Sequence, residues 1–357
     1  MAAENLDLVV HLGDYPYEGA GTTTGVRSHK GGDPITLADY RNRHAQYKTD
    51  PNLRAAHAAH PWMVTWDDHE VDNNYAGLVA ADGMSRTEFT RRRAAAYRAY
   101  YEHLPLRHSS LPSGASGRIY RRLTYGNLVR ISALDPRQYR TDQPCGDGLK
   151  ARCADALSSN ATLTGPTQEG WLLDGLGSSP ARWNVIAQQV VMAQYDHRSG
   201  SGGLFNMDAW DGYVAARNRV LGYLLNRRPS NPIVITGDVH SSWVADLKAD
   251  FRNGASRTVG TEFVGTSITS RLPASAVQTI KVARAENPHV KYFDGRPRGY
   301  VRCNINADRW RSDLRLVGST GNPQSAVGTL ASFVVQNGRP GRCARSPGQG
   351  PGRAGKC

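Results

Sequence analysis

The sequence of 357 residues lacks long apolar runs, cysteine pairs at metal-binding spacing and nucleotide-binding fingerprints. No run approaches the roughly 20 consecutive apolar residues that a spanning helix needs, and the longest stretches have the length of strands. No C-x-x-C pair occurs, which argues against a zinc ribbon or a thioredoxin-type motif. Residues 19–25 are rich in glycine but are followed by no Lys-Ser/Thr pair. These absences exclude a membrane-spanning helix, a small zinc module and a P-loop.

Positive charge is in excess, with 44 Lys and Arg against 31 Asp and Glu and a formal net charge of +13. The excess is mostly arginine and is spread along the chain, so it forms no single basic block. Such a charge favours anionic partners, whether phosphate esters, anionic polymers or lipid headgroups, through an attraction that salt screens. No motif combines basic and aromatic residues for specific nucleic-acid recognition.

The five cysteines leave the redox compartment open. Cys145 and Cys153 bracket a short polar segment of the kind that a disulfide closes in an exported protein, with two unpaired thiols as the alternative. Cys303 and Cys343 are a candidate second pair, which would leave Cys357 unpaired.

Strand and helix patterns alternate along the chain, which predicts an α/β protein. Strands are predicted over 6–12, 62–66, 118–123, 128–134, 183–189, 232–236, 258–264, 300–305, 313–317 and 331–335. Helices are predicted over 37–48, 53–59, 85–101, 167–176, 212–226 and 276–285, with Thr36 as a possible N-cap and Ser85 and Glu88 at capping-box spacing. No linker divides 1–336, which is expected to be one catalytic domain. Residues 337–357 are mainly Gly, Pro, Arg and Ser and are expected to be a disordered tail.

Polar clusters follow four of the predicted strands. They are Gly13-Asp14, Asp67-Asp68-His69, Asp135-Pro136-Arg137 and Gly237-Asp238-Val239-His240. In a layered α/β protein the loops beyond the carboxyl ends of the strands converge on one edge of the sheet, so we expect these side chains to meet there.

The donor types in these clusters are typical of a metal site. Carboxylates, imidazoles and carboxamides are concentrated after Trp66, in a mixture that suits two hard or borderline cations acting on a phosphoryl group. Two simpler interpretations remain: Asp14 could only shape a turn, and residues 67–74 could form a solvated charged loop. A serine hydrolase with Ser241 as nucleophile lacks the nucleophile elbow and a separate base.

Five motifs carry a resemblance to a known family. In chain order they are HLGDYPYE, TWDDHEVDNN, LDPRQYRTDQPCGDG, WNVIAQQ and GDVHSSW. The sequence up to about residue 336 resembles the PhoD-type alkaline phosphatases and phosphodiesterases, a branch of the binuclear metallophosphoesterases. The resemblance implies a four-layer αββα sandwich, a ferric ion with nearby calcium, and hydrolysis of phosphate mono- and diesters. Some relatives act as phospholipases D.

The resemblance also implies roles for individual residues. Asp14 would bridge the metals, Tyr17 would bind Fe³⁺ as a phenolate, and His240 would complete the iron site. On the Ca²⁺ side it places Asp68, Asn74 and Asp238. His69 would assist the leaving group, and Gln189 lies where related enzymes carry another ligand.

Two of the candidate residues have a structural alternative. A phenol with a pKa of about 10 becomes a good ligand only where a strong Lewis acid removes its proton, so Tyr17 beside Asp14 favours trivalent iron over magnesium. If Tyr17 instead packs as a core aromatic, that inference fails. Arg137 is a candidate phosphate clamp, because a guanidinium fork suits a phosphoryl group, but a structural salt bridge is an equal alternative.

The sequence departs from the family pattern at its beginning. The family's N-terminal β-domain, its first catalytic strand with a cysteine ligand and an export signal are not found, so a chain incomplete at its N-terminus is expected. Family members are exported; a chain that truly starts at Met1 is expected in the cytoplasm. The leading expectation is a monomeric phosphoesterase. The alternatives are a phospholipase D acting on lipid phosphodiesters and an inactive, truncated relative that binds a phosphate-rich polymer or nucleic acid without turnover. An anionic polymer or a lipid surface is the expected partner besides the substrate.

Overall fold

A computed structural model describes residues 1–20, 28–322 and 324–345, with the backbone alone over 342–345. The chain folds into two compact units. Unit 1 comprises Met1–Arg121 and Ala133–Asp142, and unit 2 comprises Arg122–Ser132 and Gln143–Cys357. Within the part of the chain that is described, none of the helices combines the length and apolar character that a bilayer span requires.

The described residues of unit 1 form a parallel pair of short strands, β1 and β2, and three α-helices. In chain order its elements are β1 (Val9–Leu12), α1 (Leu37–Lys48), α2 (Pro51–Ala59), β2 (Trp62–Thr65) and α3 (Arg86–His103). The register pairs Val9 with Trp62 and Leu12 with Thr65, so the two strands end side by side. Their loops therefore leave the sheet at the same edge.

Side-chain caps explain where the helices of unit 1 begin. Thr36 and Asp39 form a capping box at the start of α1, and Asp50 accepts the Leu53 N–H at the start of α2. The Ser85 hydroxyl accepts the Glu88 N–H at the start of α3. These bonds satisfy N–H groups that have no partner inside a helix. The predicted caps of α1 and α3 are confirmed.

The core of unit 1 is rich in tyrosine. The Tyr40 hydroxyl donates to the Val71 carbonyl oxygen at 2.6 Å, and the hydroxyls of Tyr75 and Tyr97 lie 2.9 Å apart. Trp66 stacks on Tyr97 with 3.9 Å between ring centroids. Because a buried hydroxyl is costly without a hydrogen bond, these contacts allow large polar rings to fill the interior.

Unit 2 contains most of the strands. They are β3 (Arg121–Tyr125), β4 (Val129–Ala133), β5 (Leu149–Lys150), β6 (Trp183–Ala187), β7 (Phe205–Asn206), β8 (Pro232–Thr236), β9 (Ser242–Lys248), β10 (Thr258–Val264), β11 (Val290–Asp294), β12 (Arg298–Ile305), β13 (Arg309–Val317), β14 (Val327–Gln336) and β15 (Arg339–Arg345). The helices are α4 (Ala154–Leu157), α5 (Gly165–Gly177), α6 (Val214–Arg227) and α7 (Ala274–Ala283).

Two sheets of unit 2 share one apolar core. The larger has seven strands in the order β11-β9-β10-β8-β6-β4-β3, with β6, β8 and β10 parallel, and the smaller is β12-β13-β14-β15. Val185, Ile233 and Phe263 of the larger sheet lie in one cluster with Trp310 and Phe333 of the smaller. Strands buried on both faces read as continuous apolar runs, which is why β6 and β8 were predictable.

The predicted tail requires a correction. Its first part forms β15, which pairs with β14 through Val334 and Cys343. An edge strand needs few apolar residues, so a composition of Gly, Pro and Arg did not reveal it. Residues 346–357 lie outside the described part of the chain. The expectation of one catalytic domain over 1–336 stays a prediction.

The cysteines confirm one predicted disulfide and contradict the other. Cys145 and Cys153 form a disulfide with 5.8 Å between their Cα atoms, which confirms the bonded alternative. The suggested bridge from Cys303 to Cys343 is wrong, because Cys303 is a free thiol. Its strand β12 is separated by β13 and β14 from β15, which carries Cys343. At about 4.8 Å per strand the two backbones are too far apart for a disulfide.

Candidate metal centre

The ends of β1 and β2 approach each other closely. Gly13 follows β1 with φ +102°, and a Cβ on it would lie only 2.4 Å from the Cβ of Asp67. Asp14 comes next with φ +57°, a left-handed conformation that turns its side chain sharply after the strand. Only glycine permits this approach, so Gly13 sets how near the Asp14 loop comes to the Asp67 loop.

Carboxylates from the two loops converge. One oxygen from each of Asp14, Asp67 and Asp68 lies within 4.8 Å of the others, and ligand atoms of Asp14, Asp68 and His69 are grouped equally closely. Asp67 and Asp68 are buried. Buried like charges at this spacing repel each other strongly unless cations compensate them. The donor set, oxygen-rich with one imidazole, therefore fits hard or borderline metal ions.

Tyr17 lies at this cluster. Its hydroxyl donates to Asp14 Oδ2 at 3.2 Å, and its ring lies 4.1 Å from the His69 ring between centroids. The side chain is half-buried and does not belong to the tyrosine-rich core. The phenol oxygen is therefore placed beside a candidate ligand. That it binds iron stays a prediction.

Asp68 is fixed from two directions. Its Oδ2 accepts the backbone N–H of Asn74 at 2.7 Å, and Arg137 Nη2 lies 3.5 Å from its Oδ1. Burial raises the pKa of Asp68, but the charges of Arg137 and His69 and the Asn74 N–H outweigh it, so the pKa lies well below its usual range. Asn74 has φ +52° and meets Asp68 through its backbone.

Arg137 is fully buried and forms ion pairs with the acidic cluster. Its Nε donates to Asp67 Oδ1 at 2.5 Å. Asp135 accepts the backbone N–H of Arg137 at 3.2 Å and thereby shapes the turn after β4. The structural salt bridge, one of the two alternatives for Arg137, is present, and the phosphate clamp stays a prediction.

His69 is oriented by a glutamate. Its Nδ1 lies 2.7 Å from Glu18 Oε2, while Glu18 Oε1 accepts the Asn73 N–H at 2.8 Å. Burial lowers the pKa of His69, but the charge of Asp68 and the bond to Glu18 more than offset it and raise the pKa to about 9. Because Nδ1 is committed to Glu18, the ring orientation of His69 is fixed. That His69 assists the leaving group stays a prediction.

Glu70 joins the two loops. This buried carboxylate accepts the backbone N–H groups of Asp14 at 3.1 Å, Tyr15 at 2.6 Å and Asp67 at 2.7 Å. The sequence placed Asp67 in one of the polar clusters but gave it no role, and Glu18 and Glu70 were not singled out. Glu18 and Glu70 lie inside the quoted motifs, and that position was the signal available for them.

The remaining candidates belong to unit 2. Asp238 and His240 follow β8 with φ +63° and +48°, and Arg298 Nη1 donates to the His240 carbonyl oxygen at 2.9 Å. Gln189 is buried, and its backbone carbonyl oxygen accepts the Gly237 N–H at 2.9 Å. The expectation that Asp238 and His240 share ions with Asp14 stays a prediction.

Ser241 is engaged in structural hydrogen bonds. Its hydroxyl donates to the Val239 carbonyl oxygen at 2.7 Å and accepts the Trp243 Nε1–H at 2.8 Å. The residue is fully buried. This arrangement gives Ser241 no activating base, in agreement with the argument against a serine hydrolase.

Comparison with known proteins identifies the family. The family model for PhoD-like phosphatases matches residues 1–314. Alkaline phosphatase D of Bacillus subtilis (strain 168) is 49% identical over 351 residues, which are 96% of this chain and 59% of that protein. A solved structure of PhoD matches with a TM-score of 0.92 at 48% identity, over 99% of this chain and 68% of that one.

These matches confirm the expected α/β fold of the PhoD type. The chain spans 59% of the length of the curated relative that it matches. The motifs quoted above lie within the residues that the family model matches. The chain belongs to the PhoD-like phosphatase family.

Proposed function

We propose that this chain hydrolyses phosphate mono- and diesters with the help of metal ions held at the ends of β1 and β2. The observation that carries the proposal is the convergence of ligand atoms from Asp14, Asp67, Asp68 and His69 within unit 1. The name of the Bacillus relative, alkaline phosphatase D, supports the same reaction class.

Fe³⁺ and Ca²⁺ are the proposed ions. Tyr17 and Asp14 would hold the iron, because a phenol 3.2 Å from a carboxylate releases its proton to solvent near neutral pH only where a strong Lewis acid on its oxygen lowers its pKa. Asp68 and Asn74 would hold the calcium. The family resemblance adds Asp238 to the calcium ligands and His240 to the iron ligands. When bound, such ions would neutralise phosphoryl oxygens and lower the pKa of a water molecule.

His69 is the proposed proton donor to the leaving oxygen. Its Nδ1 is held by Glu18, which directs Nε2 away from that carboxylate. Phosphoryl transfer needs a proton most when the leaving alkoxide is basic. Glu18 acts through His69 and is therefore a positioning residue. Arg137 holds Asp67 and Asp68 through its ion pairs. Its proposed second role is to bind a phosphoryl oxygen of the substrate.

Asp14→Asn tests the metal role. We expect hydrolysis of 4-nitrophenyl phosphate and bis-4-nitrophenyl phosphate to fall by at least about a thousandfold, because the variant loses a charged ligand that positions the reacting groups. Circular dichroism should show a retained fold, and elemental analysis should show less bound metal. Near-normal turnover in Asp14→Asn would refute the assignment.

Two further variants separate the finer assignments. Tyr17→Phe should abolish the visible charge-transfer band of a phenolate bound to Fe³⁺; the absence of any such band in the wild-type protein loaded with iron would reject the iron assignment. His69→Gln should slow phenyl phosphate more than 4-nitrophenyl phosphate, because the second leaving group needs no proton. Equal losses would remove His69 as the donor.

A phospholipase D activity is the second candidate. The net charge of +13 favours it, because a positively charged protein accumulates at an anionic lipid surface. Rapid release of choline from phosphatidylcholine vesicles with little cleavage of aryl phosphates would select it. Binding to an anionic polymer that weakens steeply with salt, without hydrolysis in the presence of Fe³⁺ and Ca²⁺, would select the inactive binding relative.

A further inference from the structure

Glu70 occupies an unusual place between the two ligand loops of unit 1. It follows β2 in sequence, yet two of its three hydrogen bonds reach the loop after β1, to Asp14 and Tyr15. The third returns to Asp67 in its own loop. Its side chain therefore joins residues that are more than fifty positions apart in the chain, and two of them carry carboxylates of the cluster.

The bonds use both carboxylate oxygens. Oε1 accepts the Tyr15 N–H at 2.6 Å, and Oε2 accepts the N–H groups of Asp14 at 3.1 Å and Asp67 at 2.7 Å. Burial raises the pKa of Glu70 to about 8, while the three backbone N–H groups favour its charged form, in which both oxygens accept hydrogen bonds. The residue is 1% exposed, so water does not compete for these oxygens.

The bonds fix the backbone at the residues whose side chains converge. Asp14 and Asp67 each carry a carboxylate of the cluster, and each is bound by Glu70 at its own N–H. Arg137 offsets part of the repulsion between these carboxylates through its ion pairs with Asp67 and Asp68. The bonds of Glu70 hold the backbone of both loops against the remainder. Glu70 adds no attraction between the carboxylates; its bonds act on the backbone and hold the two loops in place.

We propose that Glu70 is a positioning residue that assembles the ligand loops of unit 1 in the metal-free protein, so that the ions enter a preformed site. The inference rests on the proposed function, since it assumes that Asp14 and Asp68 bind metal. It adds that metal affinity depends on a carboxylate that is not itself a ligand. A site assembled in advance avoids the entropic cost of ordering two loops when the ion binds.

Hydrogen exchange on the wild-type protein tests the preformed state directly. After metal is stripped with a chelator, the amides of Asp14, Tyr15 and Asp67 should exchange at least about a hundredfold more slowly than in an unstructured chain. Addition of Ca²⁺ should change these rates little. Amides that exchange rapidly in the stripped protein and become protected only with Ca²⁺ would overturn the proposal. This measurement needs no variant to fold.

Glu70→Gln tests the effect on affinity. The variant keeps the shape but replaces one acceptor oxygen with an amide that faces N–H donors. Calorimetric titration of Ca²⁺ into metal-free protein should show an affinity about tenfold or more weaker. A loss of this size is typical when a residue that hydrogen-bonds to the metal-ligand residues is changed. Unchanged affinity would overturn the proposal.

Asp211→Asn is the matched control in unit 2. Asp211 is also buried, and it accepts the Tyr195 N–H at 2.9 Å and an Arg217 bond at 2.6 Å. We expect this variant to lose stability and to bind Ca²⁺ as tightly as the wild type. Equal weakening in both variants would mean that Glu70 acts only on general stability.

The same titration separates the two levels of the proposal. A wild-type protein that binds no metal and hydrolyses no phosphate ester would remove the proposed function and this inference together. A wild-type protein that binds Ca²⁺, accompanied by a Glu70→Gln variant that binds it equally well, would remove the inference alone.

Discussion

Two buried glutamates hold strand ends in the two units, and their surroundings differ. Glu70 in unit 1 accepts three backbone N–H groups at the edge of a two-stranded sheet, beside Asp67. Glu262 in unit 2 lies on β10 inside the seven-stranded sheet and accepts the N–H groups of Met192 and Ala193 and the Thr236 hydroxyl. The same residue type therefore joins loops in a charged setting in one unit and in a sheet in the other.

The surroundings of these two glutamates reflect a difference in how the two units are stabilised. In unit 1 the strands β1 and β2 have four residues each, and Asp67, Asp68 and Arg137 are buried close together. Unit 2 buries large apolar side chains between two sheets. Charge interactions depend on pH and bound cations, whereas apolar burial does not. We therefore expect the buried ionisable groups of unit 1 to respond to solution conditions, and the apolar cluster between the sheets of unit 2 to depend mainly on packing.

The largest expected effect is on the packing of unit 2. Phe263 is 2% exposed and lies in the cluster between the two sheets. Phe263→Ala should lower the free energy of unfolding by about 3–5 kcal/mol, because it removes buried apolar surface and leaves a cavity. Urea denaturation at pH 8 and pH 6 should show a similar loss at both values.

Val282→Ala is its control, since this α7 side chain is 54% exposed. It should change stability by less than about 0.5 kcal/mol. A loss below about 1 kcal/mol for Phe263→Ala, or a loss that changes strongly with pH, would break the contrast between the units.

The next effect concerns the glutamate of unit 2. Glu262→Gln should cost about 1–3 kcal/mol, because one of its buried acceptor oxygens becomes a donor group that faces the N–H group of either Met192 or Ala193. Hydrogen exchange should become faster at those two amides. Glu286→Gln, at an exposed glutamate of the same unit, should leave both stability and exchange unchanged. Unaltered exchange at Met192 and Ala193 would show that the sheet alone holds that loop.

Much of the fold was predictable from local patterns. Helix α1 and strands β8 and β10 have the predicted bounds, because a cap or an apolar run defines each of them. Strands β9 and β11 were missed. Charged residues such as Asp246 and Lys291 interrupt their apolar patterns, and long-range antiparallel pairing decides their structure.

The site was predictable in part. Strand ends followed by acidic residues indicated that Asp14 and Asp68 would meet, and the structure places them together. Glu18 and Glu70 were not predictable, because their roles depend on which N–H or imidazole the folded chain brings within 3.1 Å of each oxygen. Arg137 shows the same limit, since its sequence position suits both a phosphate contact and the observed ion pair with Asp67.

The last expected effect concerns pH and unit 1. His44 is fully buried; burial, then the nearby His103 and Lys48, lower its pKa from 6.5 to about 3. Between those two pH values the unfolded chain binds a proton that the folded chain does not. The contribution of His44 to the free energy of unfolding is therefore fully present above pH 6.5. It is lost as the pH falls below that value, by about 1.4 kcal/mol per pH unit.

His44→Phe should remove that share of the slope, because phenylalanine keeps a ring against Tyr100 and His103 but cannot take up a proton. Urea denaturation between pH 7 and pH 5 should therefore show stability declining less steeply than in the wild type. The exposed His108 provides the control, and His108→Gln should keep the wild-type slope. If the free energy of unfolding of His44→Phe declines in parallel with that of the wild type, the acid response does not come from this buried ring. The contrast between the buried ionisable groups of unit 1 and the apolar cluster of unit 2 would then lose its clearest support.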